Sequence, residues 1–345
     1  MDVRKGILLS FVSLNLMLLW GVTGDARAGE IVDMAGRRVT IPDVIRTAYA
    51  PSPYGFTMLY SVAPEKLAGL MSPLREEDRK YLHPVIHGKP VIGRLKNLEA
   101  LAKAKPDVII VWGDKKNPIH KPSEDALAKL GIPFVYVTVG GLADLPDYPA
   151  AYEFLGKLLG KEDHTTLESV YCRNTLREIE AVVGKISKER RPRVYLAEGK
   201  DGLRTECDDS LHVHLLKLAG DLDVHRCHTS CHKGYEPVTL EQVSAYNPDV
   251  IIVQDRNFFE NVRKDPAWSK IKAVKEGRVY LIPKQPFNWF DRPPSFMRIL
   301  GLKWLMTRLY PDDYRIDLIG ETVDFFKLFL SVDITPEEAE KLIGQ

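Results

Sequence analysis

What this chain has little of removes several classes of function at the outset. Neither sign of charge is in excess: 48 Lys and Arg stand against 47 Asp and Glu in 345 residues, a formal net charge of +1. A basic face that tracks a phosphate backbone is therefore not indicated. Cysteine is sparse, with only Cys172, Cys207, Cys227 and Cys231. Four cysteines allow three complete pairings, and their spacing does not choose among them. Beyond the first residues, no apolar run approaches the ~20 residues a membrane-spanning helix needs. Catalytic signatures are absent too: there is no G-x-S-x-G elbow, no phosphate-cradling glycine loop and no His-Glu-x-x-His. Asp208-Asp209 is an acidic pair, but adjacent side chains in an extended loop diverge, so solvation explains it better than acid–base chemistry. The expectation is a protein that is not an enzyme.

The chain does carry an export-like start. Arg4 and Lys5 precede an apolar run from Ile7 to Val22, broken by Ser10, Ser13 and Asn15. Ala26-Arg27-Ala28 then offers small residues where a signal peptidase reads. The expectation is a signal peptide over 1–28, cleaved near Ala28, and a mature protein in the periplasm; a retained anchor is the alternative. The remaining length suits two domains, and a composition 45% hydrophobic can bury a substantial core.

An internal repeat supplies the architecture. Leu98-Glu99-Ala100-Leu101 leads to Lys105-Pro106-Asp107-Val108-Ile109-Ile110-Val111. Leu240-Glu241-Gln242-Val243 leads to Asn247-Pro248-Asp249-Val250-Ile251-Ile252-Val253, with the glutamate equally far from Pro-Asp. Asn97 and Thr239 are good N-caps, and a glutamate in the first turn suits the helix dipole. Pro106 and Pro248 close each helix. The Val-Ile-Ile-Val runs then read as parallel strands covered on both faces. Helix and strand alternate before and after, which is βαβ logic. The fold class is thus α/β: two Rossmann-like lobes with mostly parallel sheets, at 29–148 and 191–345. A polar helical segment within 149–190, strongest from Lys161 to Ser187, joins them.

These residues resemble the class III periplasmic substrate-binding proteins of ABC importers for ferric siderophores, haem and cobalamin. The likeness rests on Val32-Asp33-Met34-Ala35-Gly36-Arg37, the Gly93-Arg94 to Val111 block, Leu155-Gly156-Lys157-Leu158-Leu159-Gly160, Thr239 to Val253, and Pro286-Phe287-Asn288-Trp289-Phe290-Asp291-Arg292. The resemblance implies a monomer that holds an iron complex or related metal chelate in the inter-lobe cleft and delivers it to a permease dimer. No intrinsic cofactor is implied. Glu99 and Glu241 match the glutamates that dock such proteins on permease arginines. A bare transition metal or an oxyanion such as molybdate is the alternative ligand. A periplasmic haem or metal carrier is the alternative protein, and the related lobes of cytoplasmic metal chelatases are disfavoured by the export signal.

In open α/β sheets, ligands sit beyond the carboxyl ends of the strands. That rule points to Tyr54, Arg94 and Trp112 in the first lobe. The Asn288 to Arg292 loop of the second lobe resembles a cleft-lining loop of cobalamin-binding relatives, which implies Trp289 as a flat apolar face and Arg292 as a charged fork. The segment His225-Arg226-Cys227-His228-Thr229-Ser230-Cys231-His232 is unusually rich in soft ligands. A disulfide, either Cys227–Cys231 or one containing Cys207, is one reading. Metal or haem-iron ligation by His225, His228 and His232 is another. Covalent haem attachment at Cys231-His232 is a third, although three residues rather than two separate the cysteines. His212 and His214 lie two apart behind Ser210, an expected N-cap, and so should not share a helix face.

Overall fold

The computed structural model describes residues 28–95, 97–112, 121–137, 144–220, 222–228 and 234–344. The chain opens with a hairpin of β1 (Ala28–Val32) and β2 (Arg38–Pro42). Asp33 organises its turn: the buried carboxylate accepts from the backbone N–H of Ala35, Arg37 and Tyr136 at 2.9–3.0 Å. Arg37 closes the arrangement by pairing with Asp33 and lying over the rings of Phe134 and Tyr136.

The first lobe is a parallel sheet of β3 (Ala48–Tyr49), β4 (Val108–Trp112) and β5 (Phe134–Val137), in that spatial order. The second repeats the plan with β6 (Val194–Ala197), β9 (Val250–Val253) and β10 (Val279–Leu281), with β9 in the middle. A short antiparallel pair, β7 (Arg204–Thr205) and β8 (Glu236–Pro237), projects from this lobe. The repeated Pro-Asp has a structural purpose in both lobes. Asp107 accepts from the Arg46 and Thr47 N–H at 2.7 and 2.8 Å, and Asp249 accepts from the Arg193 N–H at 2.8 Å. Each aspartate thereby holds the start of the neighbouring strand in register.

Alternation along the central strands feeds separate cores. Ile109 and Val111 face one cluster with Tyr49 and Tyr136, while Ile251 and Val253 face another with Trp268. Val108, Ile110, Val250 and Ile252 all belong to a third cluster that continues from one lobe into the other. The linking helix, Glu162–Val183, spans 22 residues, or ~33 Å at 1.5 Å per residue. It lies along the preceding helix, Tyr148–Leu159. Gly156 permits that approach, since a Cβ there would sit 2.0 Å from Thr165 Oγ1. Lys303, itself buried, ties the linking helix to the C-terminal region through Glu178 at 3.1 Å and Glu321 at 3.0 Å. No helix among the described residues is long and apolar enough to cross a membrane.

Candidate functional site

The two repeat helices, Leu98–Ala104 and Leu240–Tyr246, start and stop alike. Asn97 accepts from the Ala100 N–H, Thr239 forms a capping box with Gln242, and Lys105 and Asn247 end the helices in the left-handed region at φ 43° and 45°. Glu99 and Glu241 occupy the same position in the first turn and are exposed. Hydrogen bonds from its own backbone N–H and from Thr239 hold the Glu241 carboxyl below its ordinary range. Capping explains why an acid is stable at these positions, and exposure leaves both available to a partner.

Between the lobes lies a cleft of ≈ 440 Å³. One wall carries Pro53, Phe56, Met71, Leu74, Arg75 and Arg94; the facing wall carries Lys284, Phe287, Asn288, Arg292 and Ser295. A larger groove of ≈ 770 Å³ follows the linking helix past Arg177 and Lys217, but it lies away from the strand ends where such sheets bind ligands. Four cations line the cleft, with Asp78 as the one carboxylate among its lining residues. Three of the cations are engaged. Arg75 pairs with Asp78 at 2.6 Å, Lys284 donates to the Gln254 carbonyl, and Arg292 pairs with Glu198 at 2.8 Å and with Glu206. Arg94 is exposed and makes no ion pair with any described residue. Its backbone is fixed from behind, because the Tyr49 hydroxyl donates to the Gly93 carbonyl.

Arg94 and Arg292 thus reach the cleft as expected, whereas the aromatic residues expected there do not. Trp289 is fully buried, its indole N–H donates to the Gln285 carbonyl at 3.0 Å, and its backbone packs on Gly301. Tyr54 and Trp112 are buried behind the first wall, in edge-on contact with centroids 4.9 Å apart. The aromatic surfaces in the cleft are Phe56 and Phe287. Composition gave no reason to prefer Phe287 to Trp289; the turn that points one outward and the other inward is a tertiary matter. Arg75 and Lys284 were also missed, having no motif around them.

In the His/Cys segment, Cys227 is bonded to Cys207. Of the two disulfides expected, this is the one containing Cys207, and it corrects the Cys227–Cys231 pairing: the closer cysteine in sequence is displaced by one that the fold brings alongside. Cys231 and His232 lie outside the described residues. His225 and His228 have separate partners, Tyr246 Oη at 2.9 Å and Asp209 at 3.2 Å, and His228 is fully exposed. Cys207, His225 and Cys227 do cluster, but a disulfide leaves no thiolate there to ligate a metal. Ser210 caps the turn before His212, and the two neighbouring histidines diverge, His212 to Asp291 and His214 to Asp144 at 3.3 Å. Burial, with Arg298 and Lys217 nearby, holds the His214 ring at about 4, hence neutral at pH 7.

The family model described as periplasmic binding protein matches residues 92–286, more than half of the chain and including both repeat helices. The chain belongs to the periplasmic binding protein family. An ABC transporter solute-binding protein of Sulfurospirillum deleyianum is 35% identical, with TM-score 0.83 over 91% of this chain and 98% of its own. The molybdate-binding protein MolA of Haemophilus influenzae is 27% identical over 94% of this chain and 97% of its own. The Fe(3+)-citrate-binding protein YfmC of Bacillus subtilis is 23% identical over 53% and 56%. These relatives are solute-binding proteins rather than enzymes, and the binding protein described here is a component of an ABC importer, which works with a permease and an ATPase on small ligands.

Proposed function

We propose that this protein, exported to the periplasm, captures a compact metal-bearing anion in the inter-lobe cleft and presents it to its permease through Glu99 and Glu241. The observation that carries the reading is Arg94: a cation at the mouth of the cleft with no partner among the described residues, in a cleft whose cations outnumber its acids. An arginine so placed suits an oxyanion or carboxylate through paired N–H donors. Molybdate is the first probe, because a relative matching nearly the whole chain is a molybdate-binding protein. A ferric carboxylate chelate is the second reading, favoured by the apolar surfaces of Phe56, Met71, Leu74 and Phe287, which a bare oxyanion would not use. The ≈ 440 Å³ volume is near the small end of the ~300–1,000 Å³ usual for ligand pockets. It supports a small chelate over haem or a corrinoid.

The test is titration calorimetry on the mature protein with molybdate, tungstate, sulfate and ferric citrate, repeated on Arg94→Ala. Saturable binding of molybdate or ferric citrate, weakened at least tenfold in the variant, is the expected result. Binding of none of them, or binding indifferent to Arg94, overturns the anion reading.

A further inference from the structure

The segments around Cys207 and Cys227 are tied together by more than sulfur. The Asp208 N–H donates to the His225 carbonyl at 3.0 Å, and the Cys227 N–H donates to Asp208 Oδ1 at 3.0 Å. Arg226 adds an ion pair with Asp208 at 2.8 Å. Behind them the His225 N–H donates to the buried Asp223 carboxylate at 2.8 Å. None of these contacts uses a cysteine side chain. Opening the Cys207–Cys227 bond therefore leaves the two segments held against each other, with both sulfurs side by side.

The His225 ring belongs to the same cluster: a ring nitrogen and both sulfurs all lie within 4.8 Å of one another. Tyr246 Oη stands 2.9 Å from Nδ1, and Nε2 has no hydrogen bond to a described residue. An outer partner on one imidazole nitrogen is how proteins orient a metal-ligating histidine. Cys207 is buried, whereas His225 and Cys227 are half-buried. A reductant and a cation can thus reach the cluster from solvent, and water can fill a fourth position. Two thiolates and one imidazole around such an opening suit a thiophilic cation of the zinc kind.

We propose that Cys207, Cys227 and His225 form a redox-gated metal site, closed as the disulfide and open to one Zn²⁺ once a dithiol reduces it. Exchange with the dithiol passes two electrons and two protons to the cysteine pair, giving two thiols and leaving the dithiol as its own disulfide. Zn²⁺ then displaces both thiol protons and takes the sulfurs as thiolates. The site lies outside the cleft and stands whether or not the anion reading does.

The test is Zn²⁺ binding to the mature protein, oxidised and after reduction with the reductant removed under anaerobic conditions, measured by competition with a chromophoric chelator. The reduced protein should bind one equivalent at least a hundredfold more tightly than the oxidised one. Co²⁺ in its place should show thiolate-to-metal charge transfer. In the reduced state Cys207→Ser and His225→Ala should each weaken binding at least tenfold, while Cys231→Ser should change it little. Equal binding in the two redox states, full affinity in His225→Ala, or a loss in Cys231→Ser as large as that in Cys207→Ser overturns the proposal. Should Cys207→Ser fail to fold, His225→Ala at its half-buried position carries the comparison. Circular dichroism of the reduced, metal-free protein checks that the backbone contacts hold without the disulfide; an unfolded spectrum counts equally against the site.

Discussion

Glu168 sits on the linking helix with its side chain wholly inside the protein. Burial pushes its carboxyl well above the ordinary range, and the nearest opposing group is the His164 ring at 3.8 Å. The folded state therefore keeps a proton that the unfolded chain releases near its ordinary value. Where the folded state holds more protons, stability declines as pH rises. Glu168→Gln abolishes that titration. The variant should gain on the native protein by about 1–3 kcal/mol between pH 4.5 and 8, with the difference growing as pH rises. Urea melts at several pH values measure it, and a pH-independent difference would mean that Glu168 is solvated. Nothing in the helical pattern around Thr165 and Ser169 distinguishes an inward glutamate from the outward ones, so this property is invisible before the helix is packed.

At the scale of elements, the repeat is the informative unit. Asp107 and Asp249 follow the prolines that stop their helices, and each receives the first N–H groups of the neighbouring strand. Replacing either with alanine takes the acceptor from these strand-start N–H groups, half-buried at Thr47 and exposed at Arg46 and Arg193, at a cost of about 0.5–1.5 kcal/mol each. Because the residues lie in different lobes with no shared partners, the double variant should lose the sum; a clear departure from additivity would show that the two sheets are coupled through their strand starts. The helices, their caps and the parallel strands were legible from Asn97, Thr239 and the Val-Ile-Ile-Val runs, because local rules dictate them. The sequence offered a disulfide containing Cys207 but left its choice over Cys227–Cys231 open, because Cys207 reaches Cys227 only through the return of the chain after β6.

At the scale of the molecule, one apolar cluster runs from Val108 and Ile110 of the first lobe to Val250 and Ile252 of the second, alongside a 22-residue helix. A junction packed in this way resists large hinge motion, so the two lobes hold Glu99 and Glu241 at a nearly constant separation. On the docking proposed above, contact through both at once gains by effective concentration. Glu99→Ala with Glu241→Ala should therefore abolish uptake in cells, while each single variant retains part of it, and ligand affinity in solution should be unchanged. Normal uptake by the double variant would remove these residues from the docking surface.

Local pattern determined the two-lobe α/β plan, the equivalence of Glu99 and Glu241, and the presence of Arg94 beyond a strand end, since caps, breakers and strand periodicity act over a few residues; Arg292 was legible only through the resemblance of its loop to that of relatives. Tertiary structure decided which aromatic faces the cleft, which cysteine Cys227 meets, and that Arg292 is clamped by Glu198 and Glu206. Those outcomes depend on side chains as many as 94 residues apart, brought together only when the chain closes around its core.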